Sequence, residues 1–125
     1  MMRVEVSVKN LRIILLASSV SIFSAAGNAQ DQALVQEGSQ VYDQWCRICH
    51  GEPASPIDMV GTQKLQERYK GVVPAKLEDR TNLTPEIIET IVRDGLGLMP
   101  FFRKIEVSDE DMAALQAYLT RNNPN

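Results

Sequence analysis

The chain has 125 residues, of which 44% are apolar and 23% are charged. These proportions are typical of one small globular domain and exclude a collagen-like, low-complexity or multidomain protein. The 13 basic and 16 acidic residues give a formal net charge of −3 at pH 7, so no basic surplus is present to neutralise phosphates and nucleic acid is not an expected partner. Two cysteines, Cys46 and Cys49, are too few for a disulfide framework and indicate a single chemical site.

The first 29 residues have the pattern of an export signal. Three basic residues precede a mostly apolar run at 13–26, and small residues occupy positions 27 and 29, as they do before a signal-peptidase cleavage site. We expect cleavage before Gln30 and a mature domain of residues 30–125 in the periplasm. The apolar run is shorter than the roughly 20 residues that cross a bilayer. Membrane attachment is therefore expected only if the segment stays uncleaved.

Apolar residues of the mature domain recur at helical spacing, and no stretch alternates as a half-buried strand does. The predicted fold class is therefore all-α. The pattern predicts a first helix over 33–49, a loop with closely spaced prolines over 51–61, a short helix over 63–69 and one further turn at 75–79.

Two later helices have strong local signals. Thr84 is a predicted N-cap before Pro85 and Gly95 a predicted stop, and the last helix is predicted to begin at Ser108 with Asp111 in the capping-box position. The apolar residues expected to face the core are Ile87, Ile88, Ile91 and Val92 in the first of them, and Met112, Leu115, Tyr118 and Leu119 in the second. Between these helices, residues 96–106 are expected to form a loop.

The most informative motif is Cys46-Arg47-Ile48-Cys49-His50, the C-x-x-C-H signature of c-type haem attachment. Residues i and i+3 of one helical turn face the same way, so both thiols can bond to one porphyrin while His50 binds the iron. A zinc site needs about four ligands, a thioredoxin-type pair expects a preceding strand, and so small a disulfide loop would stabilise little. The predicted cofactor is therefore one covalent haem c with its iron.

A second iron ligand has to come from outside this motif, because His50 is the only histidine. The candidates are Met59, Met99 and Met112. Met59 lies only nine residues after His50, and Met112 falls on the apolar face of the last helix, where core packing explains it. Met99 lies on a loop next to the stiffening Pro100 and is the predicted ligand.

These features resemble the class I monohaem cytochromes c over nearly all of the mature domain. Gly38 and Tyr42 are similar to that family's first helix, Tyr118 to its aromatic residue on the last helix, and Met99-Pro100 to its distal-ligand segment. The resemblance implies a helical fold around haem and transfer of single electrons, with no catalysis by the chain itself.

One position departs from the family's pattern. The family often has Gly-Pro after the histidine, and the carbonyl of that proline accepts a hydrogen bond from the ligand imidazole. Here the loop contains no Gly-Pro. Pro56 is identified with that carbonyl, and Pro53 is the alternative.

Several shorter stretches are similar to cytochromes that accompany flavin-dependent oxidoreductases of aromatic-compound breakdown, such as the cytochrome subunit of para-cresol methylhydroxylase. They are Gly61-Thr62, the run 68–71, Leu83-Thr84-Pro85, the run 92–95 and the run 99–104. This resemblance implies a redox partner that is a flavin-dependent dehydrogenase. The alternative class is a haem-based catalyst or gas sensor, in which Met99 does not bind, the iron keeps an open position, and Arg80 or Arg93 approaches it.

Overall fold

The computed structural model describes residues 29–52 and 60–124, with side chains in the second range described from Gly61 onward. Nearly all of the predicted export segment lies outside these ranges, as do Pro53, Pro56 and Met59. The expectations about those residues remain predictions. The unit Ala33–Asn125 contains the elements that form the site.

The described residues form helices and turns and contain no strand, so the predicted all-α class is confirmed. The first helix, α1, runs over residues 29–45, and a single turn, α2, follows at Arg47–His50. The helix α3 is Val60–Tyr69, and a 3₁₀ turn lies at Leu77–Asp79. The helices α4 and α5 are Pro85–Asp94 and Asp109–Thr120.

The core forms where α1 crosses α5. A Cβ atom built on Gly38 would lie 2.0 Å from the carbonyl oxygen of Ala114 and 2.8 Å from Cβ of Tyr118, so only glycine allows the two backbones to come this close. Four residues further along α1, the ring of Tyr42 lies 5.5 Å from that of Tyr118. The helices α1 and α5 therefore cross closely, with Gly38 and the two tyrosines at the crossing.

The remaining core residues come from α1, from α4 and α5, and from the segments that enter these two later helices. They are Val41, Leu83, Ile88, Val92, Val107, Met112, Leu115 and Leu119. Burying this apolar surface is the main force that stabilises so small a domain. Leu83 and Val107, which directly precede the two N-caps, were not among the predicted core residues.

The caps of α4 and α5 agree with the sequence. The Thr84 hydroxyl accepts a hydrogen bond from the backbone N–H of Ile87 at 3.3 Å, and Gly95 ends α4 with φ 74°. The hydroxyl of Ser108 accepts from the N–H of Asp111 at 3.0 Å, and the Asp111 carboxylate accepts from the N–H of Ser108 at 3.1 Å. These bonds satisfy backbone donors that a helix start otherwise leaves free.

Three expectations were wrong in detail. The predicted helix 33–49 is interrupted at Cys46, where φ is −114°. Hydrogen bonds from the side chains of Tyr42 and Thr62 to carbonyls at the end of α2 fix the orientation of that turn separately from α1. The α3 helix begins at Val60, three residues before the predicted start. Gly61, which was assigned to the preceding loop, lies within the helix and packs against the His50 ring. Ile87 is 46% exposed, since the buried stripe of α4 is narrow and runs through Ile88 and Val92.

None of the helices in the described ranges is both long enough and apolar enough to span a bilayer.

Candidate haem site

The two cysteines lie on one helical turn. The backbone N–H of Cys49 donates to the carbonyl of Cys46 at 3.1 Å, and that of His50 donates to the same carbonyl at 2.9 Å. Both thiols are unpaired, Cys46 half-buried and Cys49 exposed, so the pair does not form the small disulfide considered above. The spacing places the two sulfurs on one side of the turn, as attachment to a single porphyrin requires.

Side chains from two other elements hold this turn in place. The hydroxyl of Tyr42, a residue with no exposed surface, donates to the carbonyl of His50 at 3.0 Å. From α3, the hydroxyl of Thr62 lies 3.2 Å from the carbonyl of Gly51 and 3.4 Å from that of Cys49. The carbonyl end of α2 is therefore tied to the core through Tyr42 and to α3 through Thr62.

The imidazole of His50 packs directly on Gly61. A Cβ atom on Gly61 would lie 2.8 Å from Cε1 and 2.9 Å from Nδ1 of the ring. Burial lowers the pKa of His50, which favours the neutral imidazole that binds metals. Its Nδ1 atom is buried and has no hydrogen-bond partner among the described residues. A metal-bound histidine ordinarily donates its second N–H to a carbonyl or water, and that is the role predicted for Pro56 or Pro53.

The Cys46 side chain lies in apolar surroundings. It packs against the core next to Trp45, and burial raises the pKa of its thiol to about 12. The thiol is therefore protonated at neutral pH before any bond is formed. Apolar surroundings of this kind suit the vinyl edge of a porphyrin, and the two thiols with the His50 imidazole form a donor set that fits haem c.

Met99 lies on the loop between α4 and α5, as predicted. Reciprocal backbone hydrogen bonds of 3.0 and 3.1 Å join Met99 to Leu96, and the turn they close contains Gly97 with φ 62°. Both Gly95 and Gly97 adopt positive φ, which side-chain-bearing residues adopt only with strain. A Cβ on Gly95 would also lie 2.8 Å from the carbonyl oxygen of Met99. The backbone that carries Met99 is therefore tightly folded.

An aromatic contact brings this loop next to the cysteine turn. The ring of Trp45, the residue before Cys46, meets the ring of Phe102 edge to face with centroids 5.9 Å apart. Phe102 lies three residues after Met99, and both pack against the same core as Trp45 and Cys46. The two parts of the predicted site, separated by about fifty residues in sequence, therefore lie beside one apolar cluster.

The other methionine that the structure describes is placed differently. Met112 is 3% exposed and lies within the core on α5, which agrees with its interpretation as a packing residue. Met59 lies outside the described residues. Met99 remains the predicted ligand.

The two arginines considered for the alternative function are bound to protein groups. Arg80 is buried, lies 4.9 Å from the centroid of the Tyr69 ring, and donates to the carbonyl of Pro74 at 3.3 Å and to the side chain of Asn82 at 3.0 Å. Arg93 donates to backbone carbonyls of the loop that follows Met99. Among the described residues, no group of three or more His, Cys, Asp or Glu side chains is gathered as a metal site.

Sequence reasoning missed a buried carboxylate beside the cysteine turn. Glu78 is 9% exposed and accepts a hydrogen bond from the hydroxyl of Tyr118. The Arg47 guanidinium lies 3.5 Å and the Lys76 ammonium 3.6 Å from its oxygens. Glu78 thereby connects a residue of the haem-binding motif to α5. Two of its partners, Arg47 and Tyr118, are distant in sequence, and no local pattern marks the position.

The loop around Met99 carries exposed apolar and charged residues. Four apolar side chains are largely exposed, namely Leu96, Leu98, Phe101 and Ile105. Among the charged residues, Arg103 pairs with Glu106, and Lys104 pairs with Asp109 at 2.6 Å. The two cations that follow Met99 are therefore neutralised by acidic neighbours on the same surface.

Comparison with known proteins finds a family that matches most of the chain. Residues 33–119 match the family described as cytochrome c oxidase, cbb3-type, subunit III. The chain is similar to the cbb3-type cytochrome c oxidase subunit CcoP of Azospirillum sp. (strain B510), with 29% identity over 106 residues. The match covers 78% of this chain and 32% of the relative, so the chain spans about a third of that protein's length. No solved structure matches the chain significantly.

Proposed function

This chain belongs to the family of the cbb3-type cytochrome c oxidase subunit III, and from that membership we propose which residues hold its haem, where it works and what partner it serves. It is a c-type cytochrome: an all-α domain that binds haem c covalently and transfers electrons. The haem attachment motif and the helical fold agree with this assignment.

We propose that Cys46 and Cys49 form the thioethers and that His50 and Met99 are the two iron ligands. The observation that carries the proposal is the contact between Trp45 and Phe102, because it joins the residue before Cys46 to the loop that holds Met99. Burial lowers the pKa of His50, and its buried Nδ1 atom has no hydrogen-bond partner among the described residues. Both observations support its role as the first ligand. Pro56, or Pro53 in its place, is the proposed acceptor for the second ring nitrogen.

In this arrangement the haem supplies the exchange of one electron between the ferrous and ferric states. The chain's own residues set the conditions for that exchange. A thioether ligand from Met99 raises the reduction potential relative to a second histidine. The apolar cluster around Trp45 and Phe102 disfavours the extra positive charge of the ferric state and acts in the same direction. The tightly folded Met99 loop limits rearrangement when the charge changes.

Optical spectroscopy of the holoprotein tests the ligand assignment. Wild-type protein is expected to show sharp reduced c-type bands and, when oxidised, the weak charge-transfer band of methionine-ligated ferric haem. Met99→Ala is expected to lose that band and bind carbon monoxide readily, whereas Met112→Leu keeps it as the matched control. If the wild-type reduced protein binds carbon monoxide without displacing a ligand, the iron has an open position. That result would favour the catalyst or gas-sensor alternative.

We also propose that residues 1–29 direct export and that residues 30–125 form the periplasmic domain. The basic residues, apolar run and small residues before Gln30 support this division, and so does the covalent haem, since its attachment requires export. The intact mass of the purified holoprotein tests it. The expected mass is that of a chain beginning at Gln30 plus one haem, and a chain that retains the apolar run would contradict it.

For the redox partner we propose a flavin-dependent dehydrogenase. The similarity of five short stretches to cytochromes of such enzymes supports it, while the name of the CcoP relative associates that protein with an oxidase. Stopped-flow mixing of oxidised holoprotein with a substrate-reduced para-cresol-oxidising flavoprotein tests the choice. Rapid, saturable reduction is expected. Absence of reduction, together with rapid oxidation of the reduced protein by a cbb3-type oxidase, would assign it to the oxidase instead.

A further inference from the structure

Arg93 binds the loop that holds Met99 at several points along its length. One terminal nitrogen of its guanidinium donates to the carbonyl of Phe102 at 3.2 Å and to that of Val107 at 2.8 Å. The other donates to the carbonyl of Ser108 at 3.3 Å and lies 3.3 Å from the carboxylate of Asp109. The side chain is only 18% exposed.

These contacts close the loop on its C-terminal side. The N-terminal side is fixed by the turn from Leu96 to Met99, and the backbone N–H of Phe102 donates to the carbonyl of Val92 at 2.8 Å. Arg93 adds the attachment between the last turn of α4 and the end of the loop at Val107 and Ser108. The loop that carries Met99 is therefore fixed on both sides: before it by the turn that begins at Leu96, and after it by the bonds from Arg93.

The chemistry of the guanidinium suits this task. It presents a planar fork of donors that stays charged at all physiological pH values, and one such group can serve three carbonyls that converge from different directions. A lysine in its place would keep the charge but lose the fork. Removing the side chain would take this donor from the carbonyls of Phe102 and Val107, while that of Ser108 keeps the N–H of Met112 at 3.0 Å. Losing a donor costs free energy where water is excluded.

We propose that Arg93 is a positioning residue that keeps Met99 on the iron, acting through the loop backbone. This inference rests on the proposed ligand role of Met99. A neutral thioether is a weak ligand, and its occupancy depends on how firmly the protein holds it in place. Loosening the loop raises the fraction of molecules in which Met99 is displaced, and external ligands bind through that fraction. Arg93 thus sets both the resistance of the iron to external ligands and part of the reduction potential.

Imidazole binding to the ferric holoprotein tests this role. For Arg93→Ala we expect apparent imidazole affinity to rise about tenfold, the methionine charge-transfer band to weaken and the reduction potential to fall. Arg93→Lys is expected to show a smaller rise, in the same direction. The matched control is Arg121→Ala, because Arg121 also donates to two backbone carbonyls, those of Tyr118 and Glu78, but away from the Met99 loop. That variant is expected to bind imidazole as the wild type does.

The outcomes separate the inference from the proposed function. If wild-type protein lacks the methionine charge-transfer band, Met99 is not a ligand and both ideas fail. If the band is present and the Arg93 variants bind imidazole with wild-type affinity, the ligand assignment stands and the positioning role is overturned. Should Arg93→Ala fail to fold, Arg93→Lys decides the matter by the same two readouts. A rise of equal size in Arg121→Ala would also overturn the proposal, since the effect would then reflect general stability.

Discussion

The histidine side of the site and the methionine side are held in different ways. On the histidine side, α2 is a single turn, and its position depends on Tyr42 and Thr62 from other helices and on the absence of a side chain at Gly61. On the methionine side, the loop is folded by its own backbone bonds and by Arg93, which lies six residues before Met99. One ligand is placed by packing and hydrogen bonds between elements, and the other by a loop held largely by its own bonds and by Arg93.

This difference suggests how the two ligands respond to change. Replacing a residue by a larger one disrupts the packing around it at once, because a close-packed interior has no spare volume. A loop held by several hydrogen bonds loosens in steps as single bonds are removed. We therefore expect steric substitutions to damage the histidine side severely and polar substitutions to affect the methionine side gradually.

The largest loss of stability is expected at the crossing of α1 and α5. The helix α1 leads into the histidine side, and α5 follows the loop of the methionine side. Gly38→Val would place new atoms against the carbonyl of Ala114 and Cβ of Tyr118. The helices would have to separate, at a cost of about 3 kcal/mol or more. Chemical denaturation of the holoprotein measures it. Gln40→Val, at an exposed position of the same helix, controls for the effect of a β-branched residue and should cost well under 1 kcal/mol.

A somewhat smaller loss of stability is expected for Gly61→Val, which tests the histidine side directly. The new side chain would meet the His50 ring at Cε1 and Nδ1. We expect the ferric spectrum to change as the imidazole is displaced, and stability to fall by about 2 kcal/mol. Gln63→Val, exposed on the same helix, should leave the spectrum unchanged. An unaltered spectrum in Gly61→Val would show that the ring is not held by this contact.

Loss of the helix caps on the methionine side should have a moderate effect. Ser108→Ala and Thr84→Ala are each expected to cost about 1 kcal/mol. Ser108 should cost slightly more, because its hydroxyl accepts at 3.0 Å whereas that of Thr84 accepts at 3.3 Å. Thermal unfolding measures both, and the haem spectrum should not change. Equal costs, or a spectral change in either variant, would contradict the view that these caps act locally.

The smallest expected effect is a loss of stability at acidic pH. The Arg103 side chain lowers the pKa of Glu106 by hydrogen bonding, and Lys104 lowers that of Asp109 in the same way. A carboxylate with a depressed folded pKa contributes stability above its unfolded pKa, and that contribution disappears as pH falls through the folded pKa. Below about pH 4 the loop should therefore weaken slightly. Glu106→Gln should be less sensitive to acid than wild type in denaturation curves, and equal sensitivity would contradict this account.

The sequence predicted the methionine side well because its signals are local. Caps at Thr84 and Ser108 and the stop at Gly95 act within a few residues, so their residue types identify them. The motif from Cys46 to His50 is equally local and indicated the cofactor without any knowledge of the fold.

What the sequence could not provide depends on contacts between distant residues. Gly61 looks like a loop residue until the His50 ring is found against it, and Glu78 is one of many charged residues until Tyr118, forty positions later, is found on its carboxylate. The hydrogen bond from Arg93 to the carbonyl of Val107, 14 residues later, is likewise not marked in the sequence. Such pairs become visible only when the chain is folded, because neither partner has a residue type that requires the other.

The most direct test of the account is proton NMR of the reduced holoprotein with methionine methyl groups labelled by ¹³C. The ring current of the haem shifts the methyl of an axial methionine far upfield of ordinary methionines. We predict one such resonance in the wild type, lost in Met99→Ala and retained in Met112→Leu. A shifted resonance that persists in Met99→Ala, or its absence from the wild type, would contradict ligation of the iron by His50 and Met99.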